Sequence, residues 1–219
     1  MKLALFDLDH TLIPFDSGMA WTRFLVGAQA LPPQAEAQYL DYCHQYVAGT
    51  LDIHAMHRAS VAPLRAFTPR QLAQWLQQFE QEMGLRIPVA TQELVRRHRD
   101  EGQTCALVTA TTRFIAEPFA RWFGIEHVVA TEAQRVDDMP SGEIEGLPCF
   151  REHKVTRVQQ WLATQGLPGI AEFEATWFYS DSTSDLPLLS AVSNPVSVHP
   201  DERLRAHALA CGWPILEPG

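Results

Sequence analysis

Two aspartates two positions apart, Asp7 and Asp9, close a short apolar run that starts at Leu3. In an extended chain residues i and i+2 share a face, so the two carboxylates point the same way. Buried without a partner they would be costly, and each would raise the pKa of the other. A divalent cation is the simplest partner for such a pair. The plainer alternative is a strand followed by an Asp-rich turn in which Asp9 is a cap. More chemistry-bearing groups follow far along the chain: Thr109 at the end of the apolar run 104–109, Lys154 alone, and Asp181 with Asp185 just after the run 176–180. Each has an ordinary explanation of its own, as a strand terminus, a solvated lysine or a helix cap. Yet only two of the 17 basic residues are lysines, Lys2 and Lys154. A compact ammonium kept in so arginine-rich a chain hints that a guanidinium would not serve at 154. Together the groups offer carboxylates for a hard cation, a hydroxyl and turn N–H groups for a phosphate, and one positive charge against developing negative charge.

These groups converge only if the elements between them place strand ends on one edge. Buried-type strands are expected at 2–6, 104–109, 127–131, 176–180 and 195–198, and helices at 88–100, 113–123, 150–165, 185–191 and 201–211. Strands alternating with helices predict an α/β fold with a doubly wound, mainly parallel sheet, whose carboxyl edge binds ligands. The polar stretch 132–146, with Gly142 at its centre, reads as a hairpin or loop. Between the first strand and residue 85 the pattern is helical. One helix stops at Gly27, a second covers 34–48, a third covers 51–66 with an irregularity at Pro63, and a fourth opens with the cap Thr68 and Pro69 and closes at Gly84. The aromatic stripes of Trp21, Tyr39, Trp75 and Phe79 read as helix packing. The domain division predicted is 1–15 with 86–219 as the α/β core and 16–85 as an inserted helical cap.

Bulk properties narrow the function. The chain has 219 residues and a formal net charge of −9, which disfavours nucleic acid and anionic membranes as partners. No stretch has the ~20 apolar residues of a membrane span, and Asp7 cuts short the run that a signal peptide would need. Cys43, Cys105, Cys149 and Cys211 are scattered, without CxxC, as in reduced cytoplasmic proteins. His10, His44, His54, His57 and His153 lack the spacing of a zinc helix.

Asp7-Leu8-Asp9-His10-Thr11-Leu12 resembles the first motif of the haloacid dehalogenase (HAD) superfamily. Val108-Thr109-Ala110 is similar to the second, Lys154 to the third, and Ser180-Asp181-Ser182-Thr183-Ser184-Asp185 to the fourth. The helical insert resembles the C1-type cap of the phosphoserine phosphatase-like subfamily IB, as does the tail 194–201. Ser180 stands where the fourth motif often has glycine, and Thr109-Ala110-Thr111 stands where phosphoserine phosphatases have Ser-Gly-Gly, which weakens phosphoserine as the substrate.

The resemblance implies a Mg²⁺-dependent phosphatase that hydrolyses a small phosphomonoester through an aspartyl-phosphate. Asp7 is then the nucleophile and Asp9 the general acid and base. Asp7, the Asp9 carbonyl and Asp181 hold the metal, Thr109, Ala110 and Lys154 bind the phosphate, and Asp185 orients the metal shell or Lys154. A phosphotransferase would use the same residues, and a phospho-accepting receiver module is the alternative outside the family. The expected partner is a small phosphorylated metabolite, and the expected state a cytoplasmic monomer or homodimer. Asp16 stands where the subfamily has a glutamate for the substrate amine, and Arg58 is the cap residue nearest to meeting a carboxylate. Arg65, one helical face away, leaves the register of Arg58 open. Asp16 paired with Arg58 implies a small phosphomonoester that carries an amine and a carboxylate, and the short Asp16 leaves room for an amino-alcohol phosphate somewhat larger than phosphoserine; the alternative is that Asp16 merely caps the first insert helix.

Overall fold

A computed structural model of the chain describes residues 1–217. In chain order, β1 (Lys2–Phe6) is followed by α1 (Ser17–Gly27), α2 (Gln34–Ala48), α3 (Ile53–Val61) and α4 (Pro69–Gly84). Then come α5 (Val89–Asp100), β2 (Thr104–Thr112), α6 (Arg113–Phe123) and β3 (His127–Thr131). A hairpin of β4 (Ala133–Val136) and β5 (Met139–Ile144) precedes α7 (His153–Thr164), β6 (Ala175–Ser180) and the short α8 (Leu186–Leu189). The described chain finishes with β7 (Asn194–Val198), α9 (Glu202–Cys211) and β8 (Ile215–Leu216).

The α/β fold is the doubly wound one expected. The main sheet runs β3-β2-β1-β6-β7-β8, and every pairing within it is parallel. β1 sits inside the sheet and is buried after Lys2, as a parallel strand covered on both faces must be. Its side chains alternate between two apolar layers. Ala4 and Phe6 join Leu107, Phe119 and Ile115 on one face; Leu3 and Leu5 join Val108, Val158 and Leu162 on the other.

Of the four helices between β1 and α5, α1 and α4 share the core of the sheet. Trp21, Leu25, Phe79 and Met83 belong to the same apolar cluster as Phe6 and Phe119. Trp21 meets Phe79 edge-on at 5.1 Å, and Phe79 meets Phe119 of α6 at 5.8 Å, geometries that aromatic quadrupoles favour. Trp21 and Phe79 are therefore packing residues, as read from the sequence.

Local signals explain most element ends. Thr68 and Gln71 form a reciprocal capping box ahead of α4, with Pro69 in its first turn. The third predicted helix is two pieces: α3 stops at Val61 and a 3₁₀ turn covers Ala62–Ala66, because Pro63 lacks a donor and crowds the turn before it. The hairpin turns at Asp137 and Asp138, which have φ of 51° and 62°, not at Gly142. Gly142 lies inside β5 at φ +95°, where a Cβ would come within 2.6 Å of Ala62 Cβ, so only glycine lets that strand approach the 3₁₀ turn. β8, two residues long, was not foreseen. The four cysteines are free. Among the described residues no helix is long and apolar enough to cross a membrane.

Candidate active site

β1 delivers Asp7 one residue past its end, and the Asp7 N–H continues the ladder by donating to Tyr179 O at 3.0 Å. The chain then turns tightly: Leu8 O accepts from the N–H groups of Thr11, Leu12 and Ile13, with His10 at φ 58°. This turn brings Thr11 between two acids. Its Oγ1 lies 3.2 Å from Asp181 Oδ1 and 3.5 Å from Asp7 Oδ2. Asp181 follows β6, which pairs with β1, so adjacent parallel strands place both carboxylates at one sheet edge.

Lys154 reaches the same point from the first turn of α7. Its Nζ donates to Asp7 Oδ1 at 2.8 Å and to Asp185 Oδ2 at 2.7 Å. The lysine is 3% exposed, so it is not a solvated surface residue; an ammonium buried that deeply is tolerable only with charged partners. Asp185 Oδ2 also accepts from Ser180 Oγ at 2.7 Å, whereas its Oδ1 is buried without a hydrogen-bond partner among the described residues.

Asp9 is clamped separately. Oδ1 accepts from the Ser17 N–H at 2.6 Å, at the start of α1, and Oδ2 accepts from Thr111 Oγ1 at 2.7 Å. Thr109 is fully buried and its Oγ1 accepts from the Thr111 N–H at 3.2 Å. β2 does not end at Thr109 as expected. It runs on to Thr112, with a register shift against β3 between Val108 and Thr112, and that irregular stretch carries half-buried Ala110 and Thr111 beside Asp9.

Burial pushes Asp7 up to about 7, opposed by Lys154 and reinforced by Asp185 and Asp9. Asp181 is raised well above the carboxylate range by burial and then by Asp7 and Asp185. Burial works against the Lys154 ammonium, but Asp185 and Asp7 outweigh it and hold the group charged. One lysine thus faces more negative charge than it can balance.

Asp16 is the N-cap of α1, accepting from Met19 N at 2.7 Å, and it also accepts from Tyr39 OH at 3.0 Å. Burial, with Asp9 close by, raises it to about 6. It lines a cavity of about 670 Å³ together with His10, Met19, Phe24, Glu82 and Arg86. The capping bond is therefore present, whereas none of Asp7, Asp9, Thr109 and Lys154 lines that cavity. Arg58 is a correction. Its guanidinium donates to both oxygens of Glu143, at 2.8 and 3.1 Å, on the exposed hairpin, and it does not line the Asp16 cavity. Thr11, Ser17, Thr111 and Ser180 were missed. Thr11 and Ser180 lie inside quoted motifs, and Thr111 two residues past Thr109; a hydroxyl spaced to reach a neighbouring carboxylate was the available signal.

Among the described residues no group of three or more His, Cys, Asp or Glu side chains could hold a metal ion by itself. Mg²⁺ asks for less, since it is bound through one or two carboxylates and completes its shell with water and substrate oxygens. Asp7 and Asp181, bridged by one threonine hydroxyl, and the unpartnered Asp185 Oδ1 behind them fit that donor set.

The model of the haloacid dehalogenase-like hydrolases matches residues 4–190. The chain belongs to that family. Within it, this HAD hydrolase is an enzyme of phosphatase type. It is 37% identical over 218 residues to a histidinol-phosphatase of Neisseria meningitidis serogroup C, covering 98% of each chain. A Bordetella pertussis Tohama I protein of unknown function has a solved structure that matches at a TM-score of 0.92 with 41% identity, over 100% of this chain and 99% of that one. A substrate-bound phosphoserine phosphatase matches at a TM-score of 0.69 with 15% identity, over 99% and 93%; that likeness is one of fold.

Proposed function

We propose that this HAD hydrolase is a Mg²⁺-dependent phosphatase that cleaves a small phosphomonoester through an aspartyl-phosphate on Asp7, with residues 16–85 as its cover. The observation that carries the reading is the single buried Lys154 ammonium shared by Asp7 and Asp185 at the sheet edge where Thr11 also links Asp7 to Asp181.

A carboxylate oxygen of Asp7 attacks phosphorus as the ester P–O bond breaks, and Asp9 gives its proton to the departing alkoxide. Asp9 then takes a proton from water as the water oxygen attacks phosphorus, which releases inorganic phosphate and restores the Asp7 carboxylate. Asp9 is suited to both steps because Ser17 and Thr111 fix its orientation. Lys154, the Thr109 hydroxyl and the backbone N–H at Ala110 balance charge on the phosphoryl oxygens. Asp7, the Asp9 carbonyl and Asp181 would hold Mg²⁺, which lets an anionic nucleophile approach an anionic phosphoryl group. Asp185 keeps Lys154 in place.

Asp16, a buried carboxylate beside Asp9, favours an alcohol that carries an amine, since a charge held beneath a cover needs a partner. The activity named for the Neisseria relative, histidinol phosphatase, acts on an amino-alcohol phosphate larger than phosphoserine, which is the class expected here. The test is phosphate release from a panel holding histidinol phosphate, phosphoserine and para-nitrophenyl phosphate, with Mg²⁺ and with excess EDTA. Release that needs Mg²⁺ and disappears in Asp7→Asn is the expected result. Turnover by Asp7→Asn within about tenfold of wild type, a difference of ~1.4 kcal/mol, would sink the mechanism.

A further inference from the structure

α2 turns one face toward the site, with Tyr39, Cys43 and Tyr46 at helical spacing. Tyr39 bonds Asp16. Tyr46, near the other end, crosses to the far side: its OH lies 2.8 Å from Ser182 Oγ and 2.7 Å from Ser184 Oγ. Those two hydroxyls are themselves 3.1 Å apart, so the three oxygens can each donate once and accept once.

The serines belong to the turn that positions the buried acids. Ser182 Oγ caps the turn by accepting from the Ser184 N–H at 3.2 Å, and the Ser182 N–H donates to Ser180 Oγ at 3.2 Å. Ser180 Oγ donates to Asp185 Oδ2, which accepts from Lys154, which donates to Asp7. A continuous path of hydrogen bonds thus runs from α2 to Asp7. A second tie lies beside it. Arg151 Nη2 donates to the carbonyl of Gly49, the C-cap of α2, at 2.8 Å, and the Tyr46 ring packs at 5.9 Å from Phe150. Phe150 and Arg151 lead directly into α7 and Lys154.

We infer that Tyr46 is a positioning residue: its hydroxyl clasps α2 to the 182–184 turn and so fixes Asp185 and Lys154 against Asp7. The inference rests on the phosphatase reading above for its kinetic consequence, and on the hydrogen bonds alone for its structural one. Burial raises the Tyr46 hydroxyl, with Asp185 adding to the effect, so the phenol keeps its proton to donate at every working pH.

The test is Tyr46→Phe, which keeps the ring against Phe150 and removes only the clasp. Steady-state kinetics should show kcat down about threefold to tenfold, the range of a lost hydrogen bond, with KM within about twofold of wild type. Hydrogen exchange should quicken by about threefold or more at the amides of residues 182–185 and stay unchanged in β1, as local rather than global opening requires. Ser184→Ala, a variant independent of the ring, should give the same kcat loss, and the double variant should be no worse than either single one. Unchanged exchange at 182–185 overturns the inference, as does unchanged kcat. A raised KM with wild-type kcat also overturns it, because Tyr46 would then be a substrate contact. If wild type releases no phosphate from any ester, the phosphatase reading fails and the exchange measurement alone decides the clasp.

Discussion

Thr111 Oγ1 stands 2.7 Å from Asp9 Oδ2, so the side chain that should give and take the proton is aimed by a residue of another strand. A hydrogen bond to a charged group contributes ~1.5–3 kcal/mol. Thr111→Val keeps the shape and removes the donor, and kcat should fall about tenfold, with Thr111→Ser recovering most of it. Steady-state kinetics check this, and a valine variant as fast as wild type would separate Thr111 from the reaction.

Lys154→Arg is not a conservative change. A planar guanidinium does not fit where one Nζ meets two carboxylates at 2.8 and 2.7 Å, and kcat should fall by at least about tenfold. Lys154→Met removes the charge and leaves buried acids unbalanced, at a cost to folding of about 3 kcal/mol near neutral pH. Urea unfolding measures the second effect apart from activity.

Asp16→Asn tests the pocket role. Efficiency should drop at least about tenfold on amine-bearing esters and change little on para-nitrophenyl phosphate, which has no amine to pair. An equal effect on both would leave Asp16 as the cap that its bond to Met19 makes it.

His57 should make stability depend on pH. Its Nδ1 lies 3.2 Å from Thr112 Oγ1, and its Nε2 is buried without a hydrogen-bond partner among the described residues. Burial lowers it from an ordinary 6.5 to about 4, with His54 acting in the same direction and Glu143 against it. Below the unfolded value the unfolded chain binds a proton that the folded chain refuses, so this contribution is intact above pH 6.5 and is lost as pH falls toward 4. Asp7 and Asp16, which are raised, act in the opposite sense, but they are common to wild type and His57→Gln and cancel in the difference. Urea unfolding at pH 7 and pH 5 should show wild type losing more stability than His57→Gln; equal losses would refute the assignment.

The groups with unusual chemistry were legible before the fold. Asp7 with Asp9, the rare lysine and the acids after the run 176–180 carry charges that a core must explain, and the structure brings Lys154, Asp7 and Asp185 into contact. The residues that aim them were not legible. Thr11, Thr111, Ser180 and Tyr46 are common types whose roles depend on which strand end they meet. Arg58 reads as a pocket residue from the sequence because it is a basic side chain of the insert that could meet a substrate carboxylate; its partner Glu143 lies on a hairpin 85 residues further on, and no local pattern announces that pairing. Two-residue β8 offers no periodicity at all.

The aromatic cluster shared by Trp21, Phe79 and Phe119 limits how such enzymes can be recombined. Exchanging residues 17–84 for the helices of a relative would transplant part of the hydrophobic interior along with the proposed cover. A chimera would have to inherit Phe114 and Phe119 of α6 from the same parent as Trp21 and Phe79, or it would carry mismatched volumes where close packing tolerates little error.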